Sequence, residues 1–225
     1  MSSNNREGQP MRQSAASQSI IMQMNPESEG AEPYRSLRTT IEYAAATQGK
    51  KVFMVTSAKK GEGKSTVAAN LALSIAQTGK NTVLVDANLR NPTQNIIMGT
   101  SNHFGLSSYL EGQTDREEDI VKSSTAEQLA IVPAGPQPVN PAELLTKERM
   151  DSLLELLKTE YDYVIVDTPS LLSATDPQII ATRADGVIMV VEHRKLSQAH
   201  AKQAVKHLST VNAKLIGVVF NKQKQ

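Results

Sequence analysis

The chain contains no cysteine, which excludes disulfides, thiolate metal sites and a cysteine nucleophile and fits a reducing compartment. It has no excess charge of either sign: 24 Lys and Arg stand against 23 Asp and Glu, for a formal net charge of +1. No overall electrostatic pull toward nucleic acid or an anionic membrane follows, and nucleic acid is not expected as a partner. Long apolar runs are missing as well. The longest, "GVIMVV" from Gly186, is far short of the ~20 residues a membrane helix needs. The opening "MSSNNREGQPMRQSAASQS" lacks the apolar centre of a signal peptide. No internal repeat or low-complexity tract interrupts the core. What is left is 225 residues, 39% apolar and 21% charged: an ordinary soluble composition, enough for one sizeable domain and too short for two comfortable ones.

Residues 1–26 are rich in Ser, Asn, Gln and Gly without a sustained period and read as a flexible arm. The patch "SIIMQMNP" (19–26) is the exception and is apolar enough to dock on the domain. Residues 27–225 read as one domain that opens with a helix over 27–46, where Pro33 suits the first turn and Leu37, Ile41 and Ala45 fall on one face. Beyond it, apolar runs at 51–57, 81–87, 128–134, 161–168, 186–192 and 213–220 alternate with helical stretches at 64–79, 147–159 and 197–208. "FGLSSYLEG" (104–112) reads as a short amphipathic helix. Most of the strands are continuously apolar rather than alternating, which marks strands buried on both faces. The predicted fold class is α/β: a P-loop NTPase-like, mostly parallel central sheet with helices on both faces.

Between the first run and the next helix stands "AKKGEGKST", the phosphate-loop pattern with Ala58 in place of the first glycine. Gly61 and Gly63 let the backbone turn several N–H groups toward one anion, flanked by Lys60 and Glu62, and the helix that follows adds its positive dipole end. Lys64 reaches the outer phosphates, Ser65 offers a hydroxyl to Mg²⁺, and Thr66 faces the inner phosphates. Mg²⁺ needs further oxygen ligands. Asp86 and Asp167 end two of the strands, and in a parallel sheet those ends share the edge that carries the phosphate loop. A carboxylate there is also a common cap or turn former; two of them beside a phosphate loop favour metal and water positioning.

"AKKGEGKST", "VLVDANLR" and "YVIVDTP", in this order, together with "EPYRSLRTTIEY" and "NPAELL", resemble the bacterial tyrosine kinases of capsular and exopolysaccharide synthesis, built on a P-loop ATPase fold of the MinD/ParA type. The resemblance covers about 27–222. It implies that Lys64, Ser65 and Thr66 bind the ATP phosphates and Mg²⁺. Asp86 would act near the attacking tyrosine hydroxyl and the metal, Asp167 would complete the metal shell, and Asn221 would contact adenine. Glu32, Arg35 and Arg38 would build the subunit interface of a ring-shaped homo-oligomer, and Arg90 would support the acidic loop. It further implies tyrosine-bearing protein substrates and a cytoplasmic kinase recruited to the inner face of the membrane by a membrane-anchored activator protein.

The chain departs from that pattern in three places. Asn88 stands where a second Asp is usual and carries no charge; it is retained as a weak metal position. The end "FNKQKQ" has none of the family's clustered tyrosines; the five tyrosines are Tyr34, Tyr43, Tyr109, Tyr161 and Tyr163. Lys59 has the spacing from Lys64 of the MinD/ParA signature lysine, although Lys60 replaces the glycine that normally follows. Two alternatives therefore stay open: a MinD/ParA-type ATPase, and an ATP-gated oligomeric switch with weak catalysis.

Overall fold

A computed structural model describes residues 20–49 and 51–222. All six predicted strands are present: β1 (Val52–Ser57), β2 (Thr82–Asp86), β4 (Leu129–Val132), β5 (Tyr163–Asp167), β6 (Gly186–Glu192) and β7 (Leu215–Asn221). A two-residue strand, β3 (Lys122–Ser123), adds an antiparallel edge. The sheet runs β3-β4-β2-β5-β1-β6-β7, and every pairing except β3–β4 is parallel.

Continuous apolarity resolves into two cores once the pleat alternates the side chains. In β1, Val52 and Met54 join the layer of Leu153, Leu154 and Leu157, whereas Phe53 and Val55 join that of Leu71 and Ile75. In β5, Val164 and Val166 face the first layer, and Tyr163 and Ile165 the second. All residues of β1, β2 and β5 are buried.

The first layer draws on α5 (Leu106–Leu110), α6 (Pro141–Leu145), α7 (Glu148–Glu160), α8 (Asp176–Ala181) and α9 (Gln198–Thr210). The second draws on α1 (Ile21–Met24), α2 (Glu32–Gln48), α3 (Lys64–Ala76) and α4 (Gln94–Met98). α3 is apolar almost all round because the sheet lies on one side of it and α1 and α2 on the other.

α2 begins at Glu32 rather than Glu27, after a 3-10 turn over Glu29–Ala31, and stops at Gly49 in the left-handed region (φ 61°). The patch singled out at 19–26 does dock: Ile20 and Met22 are buried, Met22 N donates to Asn70 Oδ1 (3.0 Å), and Gln77 Nε2 donates to the Met22 carbonyl (2.7 Å). The remainder of the expected arm, 1–19, lies outside the described residues. Among the described residues no helix is long and apolar enough to cross a membrane.

Candidate nucleotide and metal site

The loop after β1 takes its shape from its glycines. Gly61 and Gly63 have φ of 81° and 89°, where a Cβ is strained, and Gly63 caps α3. A Cβ on Gly63 would also fall 2.0 Å from Asn221 Nδ2. The end of β7 braces the loop from behind. Asn221 Nδ2 donates to the Glu62 carbonyl (2.8 Å) and Lys222 Nζ to the Gly61 carbonyl (2.6 Å). The Glu62 side chain is buried and accepts from Lys59 N (2.7 Å) and Glu192 N (3.3 Å). The Glu62 carboxylate is thus spent within the protein, on the backbone of the loop and of β6. The Asn221 amide nitrogen is committed to the loop, while neighbouring Lys222 lines the cavity.

That cavity, of about 740 Å³, lies over the loop and is walled by Lys60, Lys64, Ser65 and Thr66 on one side and by Asn88 and Arg90 on the other. Its size suits a small-molecule ligand. Lys59 is not among its lining residues, although Lys60 is.

Asp86 and Asp167 lie side by side, paired in register across β2 and β5. Both are fully buried. Asp86 is saturated by its own loop: Oδ1 accepts from Asn88 N, and Oδ2 from Thr93 N and Gln94 N, all at 3.0 Å. Burial and the neighbouring Asp167 charge push its carboxyl up to about 7. Asp167 accepts one side-chain bond, from Gln94 Nε2 to Oδ2 (2.8 Å). Its Oδ1 is buried without a partner. Burial raises its carboxyl too, opposed first by the Lys64 charge and then by the Ser65 side chain.

Asn88 lines the cavity while its Nδ2 donates to the Asn91 carbonyl (2.7 Å). Arg90 clamps fully buried Asp176 with two bonds (2.8 and 2.9 Å), tying the acidic loop to α8. Sequence reasoning missed both Gln94 and Asp176. Each bears no motif of its own, and the helices they open, α4 and α8, are too short to show a period.

Glu32, Arg35 and Arg38 stand apart from the cavity. Arg35 pairs with Glu32 (2.7 Å) and donates to the Pro26 carbonyl, and Arg38 donates to the Ser74 carbonyl (2.9 Å). Both arginines thus already bind within their own chain, and Glu32 is the most exposed of the three side chains.

An unpartnered acid oxygen beside Lys64 and Ser65 fits Mg²⁺, which takes hard oxygen ligands and keeps several waters. No cluster of three or more His, Asp or Glu among the described residues offers an all-protein cage, so phosphate oxygens would complete the shell. A glycine loop feeding a helix, opposite two strand-end carboxylates on a parallel sheet, defines a P-loop nucleotide-binding protein, and the family model described as an AAA domain matches residues 50–220. Within that class the chain belongs to the bacterial tyrosine-protein kinases. It is 40% identical over 213 residues to the tyrosine-protein kinase YwqD of Bacillus subtilis (strain 168), covering 95% of this chain and 90% of that protein. The crystal structure of the chimerical protein CapA2B2 aligns with a TM-score of 0.88 at 35% identity over 92% of this chain and 91% of that one. The septum site-determining protein MinD of Pyrococcus horikoshii OT3, complexed with Mg-ADP, has a TM-score of 0.65 at 20% identity over 76% of this chain and 69% of its own, a likeness of fold alone.

Proposed function

We propose that the chain is an ATP-dependent protein-tyrosine kinase of capsular or exopolysaccharide synthesis. The observation that carries this reading is a cavity lined by Lys64 and Ser65, with the half-satisfied Asp167 buried just behind them and interacting with both, in a chain of this family. Phosphoryl transfer needs positioning and charge neutralisation more than covalent help. Loop amides from Lys60 to Gly63 and the start of α3 cradle the phosphates; Lys64 carries charge to the transferred group and Thr66 meets the inner phosphates. Ser65 and Asp167 would hold Mg²⁺ together with the phosphates, and Asn88, which lines the same cavity, would be a neutral ligand. When bound, Mg²⁺ offsets the phosphate charge. The tyrosine oxygen bonds to the γ-phosphorus as the bond to the β-phosphate oxygen breaks, ADP leaves with that electron pair, and the phenolic proton passes to solvent, with Asp86 as the orienting group that holds the acidic loop in place. Asn221 and Lys222, at the rear of the loop, are the side chains nearest to an adenine role.

In the same reading the protein works at the inner face of the membrane under a membrane-anchored activator and phosphorylates tyrosines of other proteins. It assembles as a homo-oligomer through α2, with Glu32 outermost and Arg35 and Arg38 shaping that helix.

The test incubates the protein with labelled ATP and Mg²⁺, with and without the membrane protein encoded beside it, alongside Lys64→Met. Phosphotyrosine in the wild type that disappears in Lys64→Met is the expected result. Free phosphate without phosphotyrosine would overturn it in favour of a MinD/ParA-type ATPase, and neither product in favour of an ATP-gated switch.

A further inference from the structure

Gln94 is fully buried and touches both strand-end acids of the site. Its side-chain Nε2 donates to the Ser65 carbonyl (3.0 Å) and to Asp167 Oδ2 (2.8 Å), and its backbone N donates to Asp86 Oδ2 (3.0 Å). Both side-chain partners can only accept, so the nitrogen end of the amide must face them; a primary amide has two hydrogens, and both are used. One neutral residue therefore grips two adjacent carboxylates and ties the second of them to the first turn of α3.

The residue type is restrictive. Glutamate would set a third acceptor against Asp167 Oδ2. Asparagine, one methylene shorter, cannot span from the start of α4 to both acceptors. An apolar residue would leave Asp167 Oδ2 without its donor and the Ser65 carbonyl with its intrahelical bond alone, in a buried setting. The fold also tolerates two buried acceptors without donors here, Gln94 Oε1 and Asp167 Oδ1, where such atoms usually mark a functional constraint.

We propose that Gln94 is the positioning residue of the Mg²⁺–nucleotide site. By holding Asp167 Oδ2 and the Ser65 backbone together, it fixes the carboxylate so that one oxygen, Oδ1, is left for the shell of the ion beside the Ser65 hydroxyl. It acts through Asp167 and Ser65. Because Gln94 opens α4, whose Ile97 lines the cavity, it also connects the cavity wall to the metal ligands. This inference rests on the Mg²⁺–nucleotide part of the proposed function and not on the identity of the phosphate acceptor.

The test measures binding of a fluorescent ADP analogue to the full chain in Mg²⁺ and again in EDTA, for wild type, Gln94→Met and Gln94→Asn. Partners that orient metal ligands are typically worth ten- to a hundred-fold in metal affinity. The expected result is a loss of about tenfold or more in Mg²⁺-supported affinity with affinity in EDTA unchanged. Gln94→Met retains length without donors and Gln94→Asn retains the amide without the reach, so either variant that folds decides the matter. Equal losses in Mg²⁺ and EDTA would show a structural role only, and unchanged affinity in both would show no role; each overturns the proposal. A wild type that binds Mg·ADP yet labels no tyrosine defeats the kinase reading and leaves this one standing.

Discussion

Asp86 and Asp167 are the same residue at the same height on neighbouring strands, yet the chain beyond each treats it differently. After β2 the chain folds back and three backbone N–H groups close on Asp86. After β5 it runs on through Thr168 and Pro169, the Thr168 hydroxyl turning to the Val55 carbonyl (3.1 Å), and Asp167 keeps a free oxygen. A saturated carboxylate organises a loop; a half-satisfied one awaits a ligand. The pairing teaches that position on the sheet edge does not assign a role. The count of donors supplied by the following segment does.

The largest effect that separates the two comes from neutralising each. Asp167→Asn removes the free acid oxygen and relieves a buried charge, so tyrosine phosphorylation should fall at least about a hundredfold while thermal stability holds or rises. Asp86→Asn should also lose transfer, and in addition lose about 1–3 kcal/mol of stability, because an amide cannot accept all three backbone bonds. Single-turnover labelling and thermal melts on the two variants check this. Equal stability losses would erase the distinction.

The pH dependence of stability sharpens the contrast at the next scale. The Asp86 carboxyl is pushed up to about 7, whereas an unfolded aspartate titrates near 4, at about 3.9. Between these values the folded chain holds a proton that the unfolded chain has released. Asp167, which faces it, is raised as well, so the two act as a pair whose contribution to stability is complete below about pH 4 and is lost as the pH rises through about 7. Melts of the metal-free protein should show the midpoint falling from pH 5 to pH 8, and Asp86→Asn should show a clearly weaker slope. An identical slope in the variant would place the titration elsewhere.

Much of this edge is legible in the residues. The strand that precedes Gly61–Thr66, the buried run ending at Asp86 and the one ending at Asp167 are each a short continuous apolar run bounded by turn or polar residues, so all six long strands and the phosphate loop can be read directly. The donors that divide the two acids cannot be. Thr93 and Gln94 belong to a turn and a five-residue helix, and Asp176 to a six-residue one, lengths at which no hydrophobic period develops. The Glu62 carboxylate looks like an exposed loop charge in sequence and is buried because β6 and β7 end behind it. What escapes the sequence is contact between segments far apart in the chain.

Asn88 offers a smaller adjustment to the same comparison. Asn88→Asp would supply the second charge usual in the family, but it would also remove the donor to the Asn91 carbonyl and set a like charge beside Asp86, whose Oδ1 already accepts from the backbone of residue 88. The half-saturating Mg²⁺ concentration for nucleotide binding should fall several-fold, with a stability loss of about 1 kcal/mol. Unchanged Mg²⁺ dependence would remove residue 88 from the metal shell.

The smallest effect on the fold concerns the tyrosines. Tyr109 is buried under the Arg149 guanidinium, 4.5 Å from its ring centroid, and Tyr163 is buried and stacked on Phe53. Burial pushes up the phenols of Tyr34, Tyr161 and Tyr163. Tyr43 alone stands open, 71% exposed on the outer face of α2. An exposed ring with little packing contributes little, so Tyr43→Phe should leave stability within about 0.5 kcal/mol and Mg·ADP binding untouched. If the chain labels itself, that label should sit on Tyr43 and vanish in Tyr43→Phe, whereas labelling of other proteins should persist. Peptide mapping of labelled protein checks this. Phosphate found on Tyr109 or Tyr163 would mean that a packed element opens during the reaction, and the rigid edge holding Asp86 and Asp167 would then belong to one state of the protein among several.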